Sequence, residues 1–292
     1  MSPVIRCFIV LAIGLMLGGL SEIALGEEQT AAPFERLHCF RYAQAVDVPQ
    51  TTLLWQTDPS VTLSVPMVIC AARRGDDVVV LDAGYTDQAV GKEWGVGDYR
   101  DFGPLLAEVG IRPDQVKWVT VSHLHWDHAG GTAEFPNAHF VVQRRELEFA
   151  AGRMPHNSVA KAGFRARDVL DLVALNWQSR VRLVDGDVED VVPGVDVYLT
   201  PGHTAGTMTV CLDTVKGRVC YTSDAVYTYR NIEEDIALGF GLDLAQSVDS
   251  FAKIRGIVGK GILIPGHEAA LFENPEKFGF RRVSRDVIAV VE

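Results

Sequence analysis

Three histidines and one aspartate fall within six consecutive positions of this chain, from His123 to His128. The whole chain of 292 residues holds only eight histidines. Neutral imidazole and carboxylate are the ligands that zinc-like divalent ions accept. The run follows the apolar segment 116–121, which predicts a strand, and ligands of α/β sheets bind at the carboxyl ends of strands. The run therefore predicts a metal centre at a sheet edge, and a cluster of surface polar residues explains it poorly.

The spacing within the run divides its ligands between two ions. His123 and His125 lie two residues apart, so both side chains can point the same way from an extended segment. Asp127 and His128 lie beyond a bend, from which a second ion is easier to reach. Gly130 and Gly131 follow and allow the backbone to turn tightly beside them. We therefore expect two ions rather than one.

Three more ligand residues directly follow apolar segments elsewhere in the chain. His203 follows 197–199, Asp224 follows the segment that ends at Ser223, and His267 follows 262–264. Any one of them alone could be a hydrogen-bonded histidine or a loop acid. Four strand ends that deliver ligands to one edge are much harder to explain in that way.

Apolar runs recur at short intervals, with helical patterns between them. Segments 65–71 and 78–81 flank a turn at 73–77 and predict a hairpin. Strands are predicted at 116–121, 140–143, 181–184, 195–199, 208–212, 218–222 and, as the terminal strand, 261–264; helices are predicted at 103–109, 145–151 and 244–258. Many strands with interleaved helices and no clean linker predict one α/β domain of layered sheets.

The motifs His-Leu-His-Trp-Asp-His, Gly-His-Thr, Ser-Asp-Ala and Gly-His, in this order, resemble the ligand set of the metallo-β-lactamase superfamily. The resemblance implies an α/β fold, the αββα four-layer sandwich, with two divalent ions, zinc as the first choice, in a groove at one sheet edge. It implies that the first ion is held by His123, His125 and His203, that the second is held by Asp127, His128 and His267, and that both are bridged by Asp224.

Asp82 lies in Leu81-Asp82-Ala83-Gly84, which resembles the Asp-x-Gly turn of that superfamily. The resemblance implies that Asp82 accepts a hydrogen bond from a ligating histidine and fixes its tautomer. A plain turn aspartate is the alternative, because Asp-x-Gly turns are common.

The spacing Asp224-x-x-Tyr227, with His-Leu-His-x-Asp-His-Ala-Gly-Gly, is similar to the N-acyl homoserine lactonases. This resemblance implies that Tyr227 places its hydroxyl beside the lactone carbonyl and that Asp127, or water, protonates the leaving alkoxide. β-Lactamases of this fold usually lack an acid such as Asp224. A core or rim aromatic is the alternative for Tyr227. The chain departs from the family at Glu268, where aspartate is common. It also departs in its N-terminus, which predicts a leader that the best-known members lack.

The resemblance implies a hydrolase that opens lactone rings, N-acyl homoserine lactones first, by attack of a metal-bridging hydroxide. One alternative is another exported hydrolase on the same site: a β-lactamase, a thioesterase or an arylesterase. A second is an iron-dependent sulfur dioxygenase, although such relatives often use a single ion. A third is a metal-binding or interaction protein without catalytic activity.

The N-terminus has the layout of a secretory leader. A short basic start at 1–6 precedes the uncharged run 7–20, and small residues follow at Ala24 and Gly26. The run is shorter than the ~20 apolar residues that a spanning helix needs, which makes an uncleaved anchor the alternative. We expect a signal peptide at 1–26, a linker at 27–35, a hydrolase domain at 36–292 and a periplasmic or secreted protein.

The formal net charge of −11 argues against a nucleic-acid partner, which would need a concentrated basic surface. We expect a small-molecule lactone as partner and no stable membrane association after cleavage, with a homodimer left open. Four cysteines remain after cleavage: Cys39, Cys70, Cys211 and Cys220. An oxidising compartment permits three pairings among them, but buried free thiols are the preferred interpretation.

Overall fold

A computed structural model describes residues 31–152 and 158–292 of the chain. The predicted signal peptide, 1–26, and the start of the predicted linker lie outside the described residues. Phe34, within the predicted linker, is fully buried, and its backbone is hydrogen-bonded to Asp213 and Val215. The packed chain therefore begins before residue 36.

Strands and short helices alternate along the described residues. The strands are β1 (Arg36–Pro49), β2 (Thr62–Arg74), β3 (Asp77–Leu81), β4 (Val96–Gly97), β5 (Trp118–Val121), β6 (His139–Gln143), β7 (Val181–Val184), β8 (Val188–Val192), β9 (Val195–Leu199), β10 (Met208–Thr214), β11 (Gly217–Ser223), β12 (Ile262–Pro265), β13 (Arg281–Arg282) and β14 (Val287–Val291). The helices are α1 (Gln88–Glu93), α2 (Phe102–Ala107), α3 (Trp126–Ala129), α4 (Arg144–Ala151), α5 (Ser158–Lys161), α6 (Ala166–Trp177), α7 (Tyr229–Glu233), α8 (Leu244–Val258) and α9 (Ala270–Glu273). In this part of the chain no helix has the length and apolar character to cross a membrane.

The strands form two sheets. The larger sheet has the order β13-β14-β1-β2-β3-β5-β6-β7, with β4 on β1, and the smaller has the order β12-β11-β10-β9-β8. From β3 to β7 the neighbouring strands are parallel, as are β11 and β12. Parallel neighbours place their carboxyl ends at one edge, which is where the ligand-bearing loops begin.

Period-two alternation along the strands separates two apolar cores. In β3, Val79 and Leu81 pack into a cluster with Val197 and Tyr221 of the smaller sheet, and this cluster fills the space between the sheets. The other faces of the strands pack against helices, such as Phe251 of α8. Each sheet therefore buries both faces. The prediction of an αββα four-layer sandwich is confirmed.

The prediction that 261–264 is the last strand of the chain is wrong. β14 follows with the sequence Val-Ile-Ala-Val-Val, every residue of which is buried, and it pairs antiparallel with β1. The sequence prediction also missed β1 and α6. β1 reads RLHCFRYAQAVDVP, in which polar and small residues interrupt the apolar pattern. The long partner β2 and tertiary packing determine this strand rather than its own composition.

All four cysteines of the described residues are paired, so the preference for buried free thiols is wrong. Cys39 in β1 faces Cys70 in β2, and Cys211 in β10 faces Cys220 in β11. Each pair occupies directly opposite positions of an antiparallel ladder, with Cα atoms 4.0 Å apart. The second pair flanks the short hairpin turn at 215–216, so the two cysteines are close in sequence, whereas the first pair depends on the register of β1 and β2.

We expect the double variant Cys39→Ala, Cys70→Ala to lose about 3 kcal/mol of unfolding free energy, the usual cost of a native disulfide. The bond closes a loop of 31 residues and so restricts the unfolded chain. Guanidinium unfolding of the oxidised proteins measures the difference. An unchanged midpoint would mean that the bond does not form in the folded protein.

Candidate metal centre

The seven predicted ligands come from loops that follow four strands. His123 and His125 follow β5, and α3 then places Asp127 and His128. The others, all at the ends of strands of the smaller sheet, are His203 after β9, Asp224 after β11 and His267 after β12. All seven side chains are buried, the most exposed being Asp127 at 8%. The structure therefore brings all the predicted ligands together where the edges of the two sheets meet.

The first ligand group consists of His123, His125, His203 and Asp224. The Nε2 atom of His203 lies 3.1 Å from Nε2 of His123 and 2.9 Å from Nδ1 of His125. Oδ2 of Asp224 lies 3.1 Å from the same His203 nitrogen and 3.6 Å from Nε2 of His123. Three nitrogens and one carboxylate oxygen at this spacing form a ligand set for one divalent ion.

The second group consists of Asp127, His128 and His267. Oδ2 of Asp127 lies 3.2 Å from Nε2 of His128 and 3.9 Å from Nε2 of His267. Oδ1 of Asp224 lies 3.2 Å from the His128 nitrogen and 3.0 Å from the His267 nitrogen. Asp224 thus presents one carboxylate oxygen to each group, which is the geometry of a bridging ligand.

Two buried atoms of the centre lack a hydrogen-bond partner among the described residues: Nε2 of His128 and Oδ1 of Asp224. A buried polar atom without a partner costs free energy, and such atoms are rare in native proteins. Both atoms point into the ligand cluster, where a cation would satisfy them. The donor set therefore fits two divalent ions.

The charges within the cluster agree with metal ligation. Burial, and then the neighbouring imidazoles, hold the pKa of His123 and His125 well below the usual value, so these ligands are neutral. Burial disfavours the charged form of Asp224, but the surrounding histidines outweigh it and keep its pKa well below the usual value. Burial also lowers the pKa of His128, yet the nearby carboxylates raise it well above normal. Histidine binds a metal ion through a deprotonated ring nitrogen, so metal affinity at this residue falls as the pH falls.

Asp82 makes the contact that the resemblance implies. Its Oδ2 accepts hydrogen bonds from Nδ1 of His128 at 2.8 Å and from Oγ of Ser223 at 2.9 Å. Its Oδ1 accepts one from the backbone N–H of Ser122 at 2.7 Å. The first bond fixes the His128 tautomer so that Nε2 faces the cluster. This fully buried carboxylate also joins the loops after β3, β5 and β11.

We expect Asp82→Asn to lower the zinc affinity of the second group by about 10- to 100-fold, the usual cost of losing an outer partner of a ligating histidine. Asparagine tolerates the positive φ of 64° at this position. Its amide replaces one acceptor oxygen with a donor that faces another donor. Competition with a chromophoric chelator measures the affinity, and an affinity equal to that of the wild type would reduce Asp82 to a turn residue.

Two other ligating imidazoles are also held through the nitrogen that faces away from the cluster. Nδ1 of His267 donates to the carbonyl of Pro66 at 2.8 Å. Nδ1 of His123 lies 3.0 Å from Oγ of Ser122. Such contacts orient the ring and fix which nitrogen is free to bind metal.

Tyr227 lies beside the first ligand group. Its hydroxyl donates to the carbonyl of Phe240 at 2.9 Å and lies 2.9 Å from Nδ1 of His203. Burial, and then the charges of Asp224 and Asp127, raise its pKa well above the usual value. The hydroxyl therefore keeps its proton and remains a hydrogen-bond donor at the edge of the cavity.

Glu268 points away from the ligand cluster. Its carboxylate accepts hydrogen bonds from the backbone N–H groups of Tyr229 at 3.0 Å and of Ala270 at 3.1 Å. It therefore joins the segment that follows Tyr227 to the one that follows His267. This position contributes to loop geometry rather than to the ligand set.

Sequence reasoning missed two buried residues beneath the ligand loops. The hydroxyl of Tyr42 donates to the backbone carbonyl of Asp127 at 2.7 Å. The carboxylate of Glu146 accepts hydrogen bonds from the backbone of Leu124 and Gly206. Glu146 had one available signal: it opens the helix after β6, whose carboxyl end lies beside that of β5. Tyr42 had none, because β1 was not recognised.

A cavity opens onto the ligand cluster, and both polar and apolar side chains line it. Five of the ligands line it, together with Tyr227: His125, Asp127, His203, Asp224 and His267. Its apolar lining residues are Ala45, Val48, Leu53, Val65, Met67, Trp94, Val96, Trp126 and Phe240. A mostly apolar lining with a few polar groups is the usual form of a site for a small molecule.

Residues 64–267 match the family model described as the metallo-beta-lactamase superfamily. The chain belongs to this superfamily. An N-acyl homoserine lactonase of Bacillus thuringiensis is 34% identical over 167 residues, which cover 56% of this chain and 60% of the relative. The match therefore spans less than two thirds of that relative.

Two solved structures of lactonases are similar to this superfamily member over most of its length. One is a quorum-quenching N-acyl homoserine lactone lactonase, with a TM-score of 0.69, 26% identity, and coverage of 82% of this chain and 95% of that chain. The other is an N-acyl homoserine lactone hydrolase with N-hexanoyl-L-homoserine at its catalytic metal center, with a TM-score of 0.69, 25% identity, and coverage of 84% and 97%.

Proposed function

We propose that this protein is a metal-dependent hydrolase that opens the ring of N-acyl homoserine lactones. The observation that carries the proposal is Asp224, which offers one carboxylate oxygen to each of two complete ligand groups. This arrangement favours a dinuclear hydrolase over a single-ion redox enzyme. The similar lactonases support the choice of a lactone as the substrate.

Two divalent ions, zinc as the first choice, would be held by the two ligand groups with Asp224 between them. When bound, such ions supply hydroxide near neutral pH and polarise the carbonyl under attack. The Tyr227 hydroxyl donates a hydrogen bond to the oxygen of that carbonyl as negative charge develops on it. Asp127 of the second ligand group, or a water molecule, takes up the proton that the nucleophilic water gives up and transfers it to the leaving alkoxide. No serine or cysteine nucleophile is required.

The residues that line the cavity support a neutral substrate with an apolar tail. In this proposal the reacting ring binds beside the ligands, and the acyl chain packs against apolar lining residues such as Leu53, Val65 and Met67. The net charge of −11 is compatible with a neutral ligand and unfavourable for an anionic one.

A substrate panel tests the proposal. The zinc-loaded protein is mixed with N-hexanoyl homoserine lactone, a chromogenic β-lactam, a thioester and an aryl ester, and released acid is followed with a pH indicator. We expect the lactone to give the highest kcat/KM. Turnover of the β-lactam without any lactone opening would contradict the proposal, as would turnover of the thioester or aryl ester alone.

We further propose that the protein is exported and that its leader is cleaved after Gly26. The leader pattern supports this, and so do the two disulfides, because such bonds persist in oxidising compartments and are rare in the cytosol. Expression of the full chain in a bacterial host, followed by N-terminal sequencing of the periplasmic fraction, is expected to give Glu27 as the first residue. An intact N-terminus in the membrane fraction would contradict export with cleavage.

A further inference from the structure

Glu146 is a fully buried carboxylate that has no part in the proposed mechanism. It lies in the first turn of α4, which directly follows β6 at the edge of the sheet where the metal ligands lie. A buried carboxylate is costly unless its oxygens are well satisfied. The hydrogen bonds that satisfy its two oxygens therefore indicate its role in the structure.

The two oxygens of Glu146 bind two different loops. Oε1 accepts a hydrogen bond from the backbone N–H of Leu124 at 3.0 Å, and Leu124 stands between His123 and His125. Oε2 accepts one from the backbone N–H of Gly206 at 2.7 Å, in the loop that carries His203. One carboxylate thus joins the backbones of the two loops that supply every imidazole of the first ligand group.

The loop at Gly206 is pressed directly against α4. A Cβ atom on Gly206 would lie 2.6 Å from both the Cβ and the backbone nitrogen of Glu146, so only glycine fits there. Hydrogen bonds within the loop also hold the conformation of the segment that follows His203. The Thr207 hydroxyl accepts from the N–H of Thr204 at 3.0 Å, and the two threonine hydroxyls lie 2.6 Å apart. A shift of Glu146 would therefore move the loop of His203 as one piece.

We propose that Glu146 is a positioning residue of the metal centre. By joining Leu124 to Gly206 it holds His123, His125 and His203 at the spacing that one ion requires, and so it sets the affinity of the first group for that ion. The proposal rests on the metal centre of the proposed function but not on the lactone as its substrate.

A glutamine variant distinguishes this positioning role from a role in packing alone. Glu146→Gln keeps the size of the side chain but replaces one acceptor oxygen with an NH₂ group. Both backbone partners are N–H donors, so one of the two loops loses its hydrogen bond. Glu148→Gln is the matched control, because it makes the same change two residues further along α4 on an exposed side chain.

The test is a zinc titration of the metal-free proteins against a chromophoric chelator. For Glu146→Gln we expect one of the two binding steps to weaken by about 10- to 100-fold, in the range for outer partners of metal ligands. The other step should not change, and Glu148→Gln should match the wild type in both. Repeating the titration in a His267→Ala background, in which the first group remains complete, assigns the weakened step to that group.

Any of three results would overturn the proposal. Unchanged zinc affinities in Glu146→Gln would show that the loops do not need this carboxylate. Equal weakening of both steps, with a lower melting temperature of the metal-free protein, would show a general structural role. If the glutamine variant does not fold, Glu146→Asp replaces it in the test. Aspartate keeps the charge but shortens the side chain by one CH₂ group, so it cannot reach both backbones, and normal zinc binding there would overturn the proposal. A wild type that binds two zinc ions but opens no lactone would refute the proposed function and leave this test intact.

Discussion

Asp224→Ala is expected to bind fewer than two zinc ions and to lose more than about a hundredfold in kcat/KM for lactone opening, because loss of an outer partner alone can cost that much. Both ligand groups depend on this residue. Its Oδ2 lies 3.1 Å from the His203 nitrogen, and its Oδ1 lies 3.0 Å from the His267 nitrogen. Alanine removes a ligand from each ion and also the negative charge that allows two cations to lie close together.

The matched control is Asp249→Ala, which removes an exposed carboxylate from α8. Metal content is measured by mass spectrometry after gel filtration, and kcat/KM is measured with zinc in excess. The control should retain two zinc ions and full activity. If Asp224→Ala retained both ions and full turnover, the bridging role would be wrong.

Tyr227→Phe is expected to lower kcat by up to about a hundredfold, the low end of the loss when one oxyanion donor is removed. The Tyr227 hydroxyl keeps its proton, because burial and two nearby carboxylates raise its pKa well above the usual value. In the structure it donates to the carbonyl of Phe240. A substrate carbonyl oxygen must therefore take over this hydrogen bond, and the gain is largest when that oxygen carries negative charge.

Tyr229→Phe is the control for this change. It also removes a bond from a tyrosine hydroxyl to a backbone carbonyl, that of Leu263 at 2.8 Å, but this tyrosine does not line the cavity. We expect the control to retain the wild-type kcat and Tyr227→Phe to retain both zinc ions. An unchanged kcat in Tyr227→Phe would make the residue a packing aromatic. A lost zinc ion would make it a support for His203 instead.

The ligand set was predictable from the sequence because its signals are local. Each ligand is a histidine or an aspartate in the short segment that follows an apolar run, and the run predicts the strand that places it. The spacing of His123, His125, Asp127 and His128 also divided the ligands between two groups, as the structure does. The hairpin of β2 and β3 and the helix α8 could also be predicted from the sequence. Two apolar runs flank a polar turn in the hairpin, and the helix has a clear pattern of apolar residues.

The remaining features depend on contacts between distant segments. Cys39 and Cys70 are 31 residues apart and meet only through the register of β1 and β2. The last strand, β14, is an apolar run without flanking patterns that would reveal its partner. Glu146 looks like an ordinary acid at the start of a helix, and its role is visible only where α4 meets the loops of β5 and β9.

The most direct measurement is the number of zinc ions that the purified protein retains per chain after saturation and removal of free metal. The central claim is that seven side chains from four loops bind two ions, with Asp224 between them. The account predicts two zinc ions per chain in the wild type. One ion or none, with zinc freely supplied, would contradict it.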